Sequence, residues 1–150
     1  MSAVETFLDA LGTPPVDALG GLRQQARERF VGSGFPTRRN ETWKFTELRP
    51  LIETRFALSA EAEPGVLPEL AQSDRLVFVN GRFSAAQSHV GELPDGVVLG
   101  SFADWARRNP GAATSVFDLE GGAERAFLSL NAAFVSDGLV LIVPDGVQLV

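Results

Sequence analysis

Apolar residues recur along the first part of the chain at helical rather than strand spacing. Val4, Phe7, Leu8 and Leu11 fall at i, i+3, i+4 and i+7, which gathers them on one face of a helix. Ser2, with Glu5 three residues later, forms a capping box at its start, and Gly12-Thr13-Pro14-Pro15 stops it. Leu22, Ala26 and Phe30 define the apolar stripe of a second helix, with Arg23, Arg27, Glu28 and Arg29 largely off that stripe. Gly20-Gly21 reads as a frayed first turn, and Gly32-Ser33-Gly34 as the end. Helices this short are not stable alone in water, so both are expected to pack on something.

The pattern then changes. Residues 34–46 have neither helical nor strand periodicity, yet they hold Phe35, Trp43 and Phe45. A solvated linker has little use for three aromatics, so this segment is expected to lie pinned against a core. A short helix is expected between Thr46 and Ile52, begun or interrupted near Pro50. Residues 59–72, rich in Glu, Ala and Pro, read as a solvated loop.

Leu76-Val77-Phe78-Val79 is a run suited to a buried strand, and Asn80-Gly81 is the favoured pair for a two-residue type I′ turn. Arg82-Phe83-Ser84 returns as the partner strand, and Val97-Val98-Leu99 supplies another. Ser101 with Asp104 opens a helix carrying Phe102, Trp105 and Ala106, closed by Asn109-Pro110-Gly111. Phe127, Leu130 and Phe134 mark one face of a last helix, ended by Asp137-Gly138. Leu139 to Val143 reads as a buried strand, Pro144-Asp145-Gly146 as a turn, and Val147 to Val150 as the opening of another strand. The order of helices and strands predicts an α+β fold, N-terminal helices packed with a small β-hairpin sheet, rather than a wound parallel sheet. Strands apolar on both faces need cover. The final ones are expected either to fold back onto Leu76–Val79 or to lead into a further domain.

Composition narrows the chemistry. With 150 residues and 45% hydrophobic content the chain can build one ordinary core. Its net charge of −6 argues against a nucleic-acid surface, which needs clustered Lys and Arg. The absence of cysteine excludes disulfides, a thiolate nucleophile and any thiolate-held zinc or iron–sulfur site within this sequence, and the single His89 cannot build a multi-histidine metal site. No apolar run approaches the roughly 20 residues of a membrane span, and the N-terminus lacks the basic and apolar regions of a signal peptide. A cytoplasmic protein, without nucleic-acid or membrane partners, is the expectation.

Three blocks carry a resemblance. Gly34-Phe35-Pro36-Thr37-Arg38-Arg39-Asn40-Glu41-Thr42-Trp43-Lys44-Phe45-Thr46 resembles the hallmark segment of the SufD proteins of the SufB/SufD family. Val77-Phe78-Val79-Asn80-Gly81-Arg82-Phe83-Ser84 is similar to that family's hairpin. Leu130-Asn131-Ala132-Ala133-Phe134, then Asp137-Gly138 and Val143-Pro144-Asp145-Gly146-Val147, is similar to its approach to the core. The blocks look more like SufD than the related SufB.

The resemblance implies an N-terminal helical and mixed domain over 1–137, with 138–150 starting a right-handed parallel β-helix whose remainder is absent. It also implies a non-catalytic subunit, or part of one, of the SufBCD scaffold for iron–sulfur cluster assembly. SufB and the ATPase SufC are the implied partners, mainly through C-terminal regions that this sequence does not contain. No cofactor is expected in this chain, the cluster and ATP belonging to the assembled complex. The alternative is a free-standing protein-binding α+β domain without enzymatic activity.

Among individual residues, Arg38, Arg39, Glu41 and Lys44 around Trp43 form a candidate docking surface, since Arg and aromatics are favoured at interfaces. The plainer reading, and the preferred one, is structural: Trp43 and Phe45 staple the loop while the charges pair locally. An enzyme acting through His89, beside Ser88, would need an acid orienting the imidazole, so a surface-loop histidine is preferred. Gly121-Gly122 before a helix reads as a turn rather than an anion site, there being no Lys-Ser/Thr pair as in a P-loop. Asp118, Glu120 and Glu124 have no paired-acid or metal-ligand spacing.

Overall fold

A computed structural model describes residues 2–14, 16–60, 62, 65–66, 74–117 and 122–149. Six α-helices and four strands are present among them: α1 (Ala3–Leu11), α2 (Gly20–Ser33), α3 (Arg49–Glu53), β1 (Phe78–Val79), β2 (Arg82–Phe83), β3 (Val98–Ser101), α4 (Phe102–Arg108), α5 (Pro110–Ser115), α6 (Ala126–Ala133) and β4 (Leu139–Ile142). The protein is α+β with small antiparallel sheets, and it divides into two compact units, Met1–Leu58 with Pro110–Val135 and Ser59–Asn109 with Ser136–Val150. The N-terminal helices and the hairpin belong to different units.

The first unit is helical. Ser2 caps α1 as its sequence predicts: Ser2 Oγ accepts from the Glu5 amide at 3.2 Å, and the Glu5 carboxylate accepts from the Ser2 amide at 2.6 Å. Leu8, Phe30 and Ala126 form the centre of the core, with Val4, Phe35, Leu130 and Phe134 packed on it. Along α6 the fully buried positions are Ala126, Ser129, Ala132 and Ala133, while Phe127 and Leu130 are half-buried. Small side chains facing α2, which itself buries Ala26, let the two helix backbones approach closely. Arg23, expected off the apolar stripe, is instead buried among Leu19, Leu22 and Ala26.

In the second unit, Asn80 and Gly81 take φ of 50° and 77°, the left-handed pair that a type I′ turn demands. Phe78 stands opposite Phe83 across the turn, their rings 5.6 Å apart. The regular ladder is shorter than its sequence suggests: only Phe78–Val79 and Arg82–Phe83 pair, and of the expected buried run only Val77 is fully buried. Ser101 caps α4 by accepting from the Asp104 amide at 3.1 Å. Where Asn109-Pro110-Gly111 was expected only to end that helix, Pro110 also begins α5, because its fixed φ suits the first helical position.

The C-terminal strand departs most from expectation. β4 pairs antiparallel with β3, Val98 opposite Ile142 and Ser101 opposite Leu139, and not with residues 76–79. It is not buried, Leu139 being 54% and Leu141 48% exposed. Val147 to Leu149 form no strand, and Val150 lies outside the described residues. Much of the 59–72 loop, with Asp118, Glu120 and Gly121, also lies outside them.

Candidate functional site

Residues 34–46 begin where α2 stops. Gly34, at φ 68°, turns the chain while its amide donates to the Phe30 carbonyl at 2.8 Å, a conformation a side chain would strain. Phe35 then inserts edge-on against Phe7 and Phe30, each at 5.1 Å between ring centroids. Pro36 is buried beside it. Phe35 thereby fixes the loop to the helical core.

Beyond them the backbone folds on itself through side chains. The Asn40 carboxamide oxygen accepts from the Thr37 amide at 2.8 Å, and the Asn40 amide donates to the Thr37 carbonyl at 2.9 Å. A 3-10 turn, Glu41–Trp43, follows, and the Thr46 amide closes the next turn onto the Trp43 carbonyl at 2.9 Å. Trp43 is the second anchor: its indole N–H donates to the Glu124 carbonyl at 3.1 Å and its ring packs 5.2 Å from Phe127.

The charged residues of the segment are brought onto one loop but not into one cluster. Arg38 pairs with Glu47 at 2.8 Å, and Lys44 with Glu41 at 2.7 Å, both pairs in solvent. Arg39 is exposed, and its guanidinium has no partner among the described residues. Phe45, expected to staple the loop, does not: it is 90% exposed, with the Lys44 ammonium 5.1 Å from its ring centroid. A groove of about 460 Å³ runs alongside, its lining including Pro36, Arg38, Leu48, Arg49 and Ile52. The sequence hints at neither the groove nor the exposed ring, because an aromatic between Lys44 and Thr46 has no periodicity to assign it a face.

Ser88 and His89 are placed by backbone pairing. His89 exchanges two backbone hydrogen bonds with Arg75, at 2.6 and 2.8 Å, and its side chain is exposed. Ser88 Oγ donates to the Ser84 carbonyl at 2.7 Å and accepts from the Val77 amide at 2.9 Å, so its hydroxyl serves the hairpin base. Glu124 enters the site through its backbone carbonyl. Among the described residues no three His, Asp or Glu side chains are grouped as metal ligands. No helix among them is long and apolar enough to cross a membrane.

The loop just described lies inside a longer match. The sequence model of the family described as "SufBD protein N-terminal region" matches residues 8–150. The chain belongs to the SufBD family. An iron–sulfur cluster assembly SufBD family protein of Synechocystis sp. is 30% identical over 134 residues, 85% of this chain and 29% of that protein. The iron–sulfur cluster assembly protein SufD of Escherichia coli is 40% identical over 73 residues, 46% of this chain and 17% of that protein. The chain thus spans less than a third of the length of either SufBD relative. No solved structure matches it significantly.

Proposed function

We propose that this chain is part of a non-catalytic scaffold subunit of SufD type, on whose assembly iron–sulfur clusters are built as cargo. The observation that carries the reading is the SufBD match over residues 8–150, with the two assembly proteins among its relatives. SufB and SufC are the proposed partners and the cytoplasm the proposed site of action, with cluster and ATP held elsewhere in the assembly. In this reading residues 1–137 form the N-terminal domain and 138–150 open a parallel β-helix. The exposed apolar residues of β4 favour that continuation, since a strand with Leu139, Leu141 and Ile142 in solvent is suited to receive cover.

The segment with Arg38, Arg39, Glu41, Trp43 and Lys44 has two proposed duties. Trp43 anchors the loop, and the cations face outward where a partner can meet them. Affinity purification of the gene product from its native cells tests the assignment. SufB and SufC should co-purify in stoichiometric amounts; a protein recovered without either would refute it.

A further inference from the structure

We infer that Phe45 is the anchor through which this chain docks a protein partner offering an apolar pocket rimmed by carboxylates; the inference rests on the reading that the chain works within a protein assembly. Isolated exposed apolar side chains carry no message by themselves, and Val16 and Val66 are as exposed as Phe45. What separates Phe45 is its mounting. The turn before it is closed by Trp43 N–H on the Asn40 carbonyl and the turn that contains it by Thr46 N–H on the Trp43 carbonyl, both at 2.9 Å. Trp43, two residues away, is fixed at both its indole N–H and its ring face. A ring held out on a backbone already ordered loses little freedom on binding, which is the condition for a hot spot.

Lys44 orients the ring further. Its ammonium lies over one face of Phe45 and is itself held 2.7 Å from Glu41, which leaves the opposite face for a partner. Charge then selects the partner. Residues 37–49 carry Arg38, Arg39, Lys44 and Arg49 against Glu41 and Glu47, a local excess of cations on a chain of net charge −6. Glu47 is occupied by Arg38 and Glu41 by Lys44, so Arg39 and Arg49 have no ion-pair partner among the described residues. An acidic partner is repelled by the chain as a whole and attracted here, which fixes where and in what orientation it lands. The groove alongside the loop, lined in part by Thr46, the residue after Phe45, and by Pro36, Leu48, Ile52, Arg38 and Arg49, has room for one apolar side chain of that partner.

Photo-crosslinking in the native cell tests this. The protein is expressed at full length with Phe45→p-benzoylphenylalanine, and separately with the same photoreactive residue at the exposed control position Val16. A discrete protein adduct should form from position 45 and not from 16, and its crosslinked peptide should map to an apolar surface flanked by Asp or Glu. Adding Lys44→Glu and Arg39→Glu should cut the yield roughly tenfold. No adduct above the Val16 control, an adduct indifferent to charge reversal, or one mapping to a surface without acids overturns the inference. Co-purification of SufB and SufC is followed in the same cells. If they still co-purify while position 45 gives no adduct, the docking inference fails and the scaffold assignment stands. An acid-flanked adduct in a protein that recovers neither SufB nor SufC refutes the scaffold assignment alone.

Discussion

Asp17 closes off a buried arginine. Both carboxylate oxygens accept from the terminal nitrogens of Arg23, at 2.7 and 2.9 Å, while Arg23 Nε donates to the Val135 carbonyl at 2.7 Å. Arg23 is 4% exposed, and Asp17 Oδ1 also takes the Leu19 amide at 2.8 Å. One carboxylate therefore neutralises a buried charge and ties down the residue before α2, while the arginine links α2 to the chain just after α6.

Removing the acid should cost more than removing the pair. Asp17→Asn leaves the guanidinium buried without its counter-charge. Breaking a fully buried pair costs about 3–5 kcal/mol, and the partial exposure of Asp17 lowers the expectation to about 2–3 kcal/mol. Arg23→Met combined with Asp17→Asn should recover a good part of that loss. Denaturant unfolding of the three proteins measures it; a single variant as stable as the parent contradicts the account.

Acid should act on the same pair. Burial pushes the Asp17 carboxyl up, but the Arg23 hydrogen bonds, the Leu19 amide and the guanidinium charge together outweigh it and hold it below its ordinary value of 3.8. A folded-state pKa below the unfolded one gives stability that is fully present above the unfolded value and lost as pH falls through the folded one. Glu5 is also held low, first by the Ser2 amide and then by its hydroxyl. Thermal stability should therefore be insensitive to these two groups between pH 7 and 5 and decline below about 4. That decline should be shallower in Asp17→Asn with Glu5→Gln, as a calorimetric pH series will record.

How far the sequence announces this arrangement depends on the range of the interaction. The Ser2–Glu5 cap and the Asn80-Gly81 turn are local, set by residues at fixed short offsets, and both form as read. Arg23 deceives because 3.6-residue periodicity places it only about 100° from Leu22, within reach of the apolar face if an acid waits there. Asp17, six residues upstream, is that acid, and nothing in the apolar pattern points to it. β4 finds β3 some forty residues away, a pairing no local pattern encodes. For the candidate site, Phe35 and Trp43 fit the expectation of a pinned segment, and Phe45 does not, since aromatic content gives the tendency to pack without the direction.

Asp137 joins three pieces of the second unit. Its Oδ1 accepts from Ser101 Oγ at 2.8 Å, the Ala103 amide at 3.0 Å and the Gly138 amide at 2.8 Å, and its Oδ2 accepts from the Phe83 amide at 2.9 Å. Asp137→Ala strands two partly buried amides on other elements, a loss of about 2–3 kcal/mol. Hydrogen exchange at Phe83 and Ala103 should accelerate together. Acceleration at only one of them would mean that the carboxylate does not couple β2 to α4.

Trp43 should prove a moderate anchor rather than a dominant one. Full burial would make Trp43→Ala cost about 3–5 kcal/mol, but the ring is half-exposed, so about 2 kcal/mol is expected. Trp43→Phe keeps the packing on Phe127 and loses the bond to Glu124, and should cost less than half as much. Chemical denaturation followed by circular dichroism gives both values; equal losses would place the energy in the hydrogen bond instead.

The exposed face of β4 should make the chain sticky. Its outer edge is unpaired among the described residues, and Leu139, Leu141 and Ile142 stand in solvent along it, the combination that favours edge-to-edge association. Light scattering of this 150-residue polypeptide should show a mass that rises with concentration, and Leu141→Lys should suppress the rise without loss of helix content. A clean monomer at high concentration would remove the strand from consideration as a surface that seeks cover.

The scaffold assignment itself is tested most directly by cluster delivery in the living cell. With the gene deleted, the rate at which newly made apo-ferredoxin acquires its iron–sulfur cluster should fall several-fold, and the intact gene supplied in trans should restore it. An unchanged rate in the deletion strain, under conditions where the gene is normally expressed, would contradict the account.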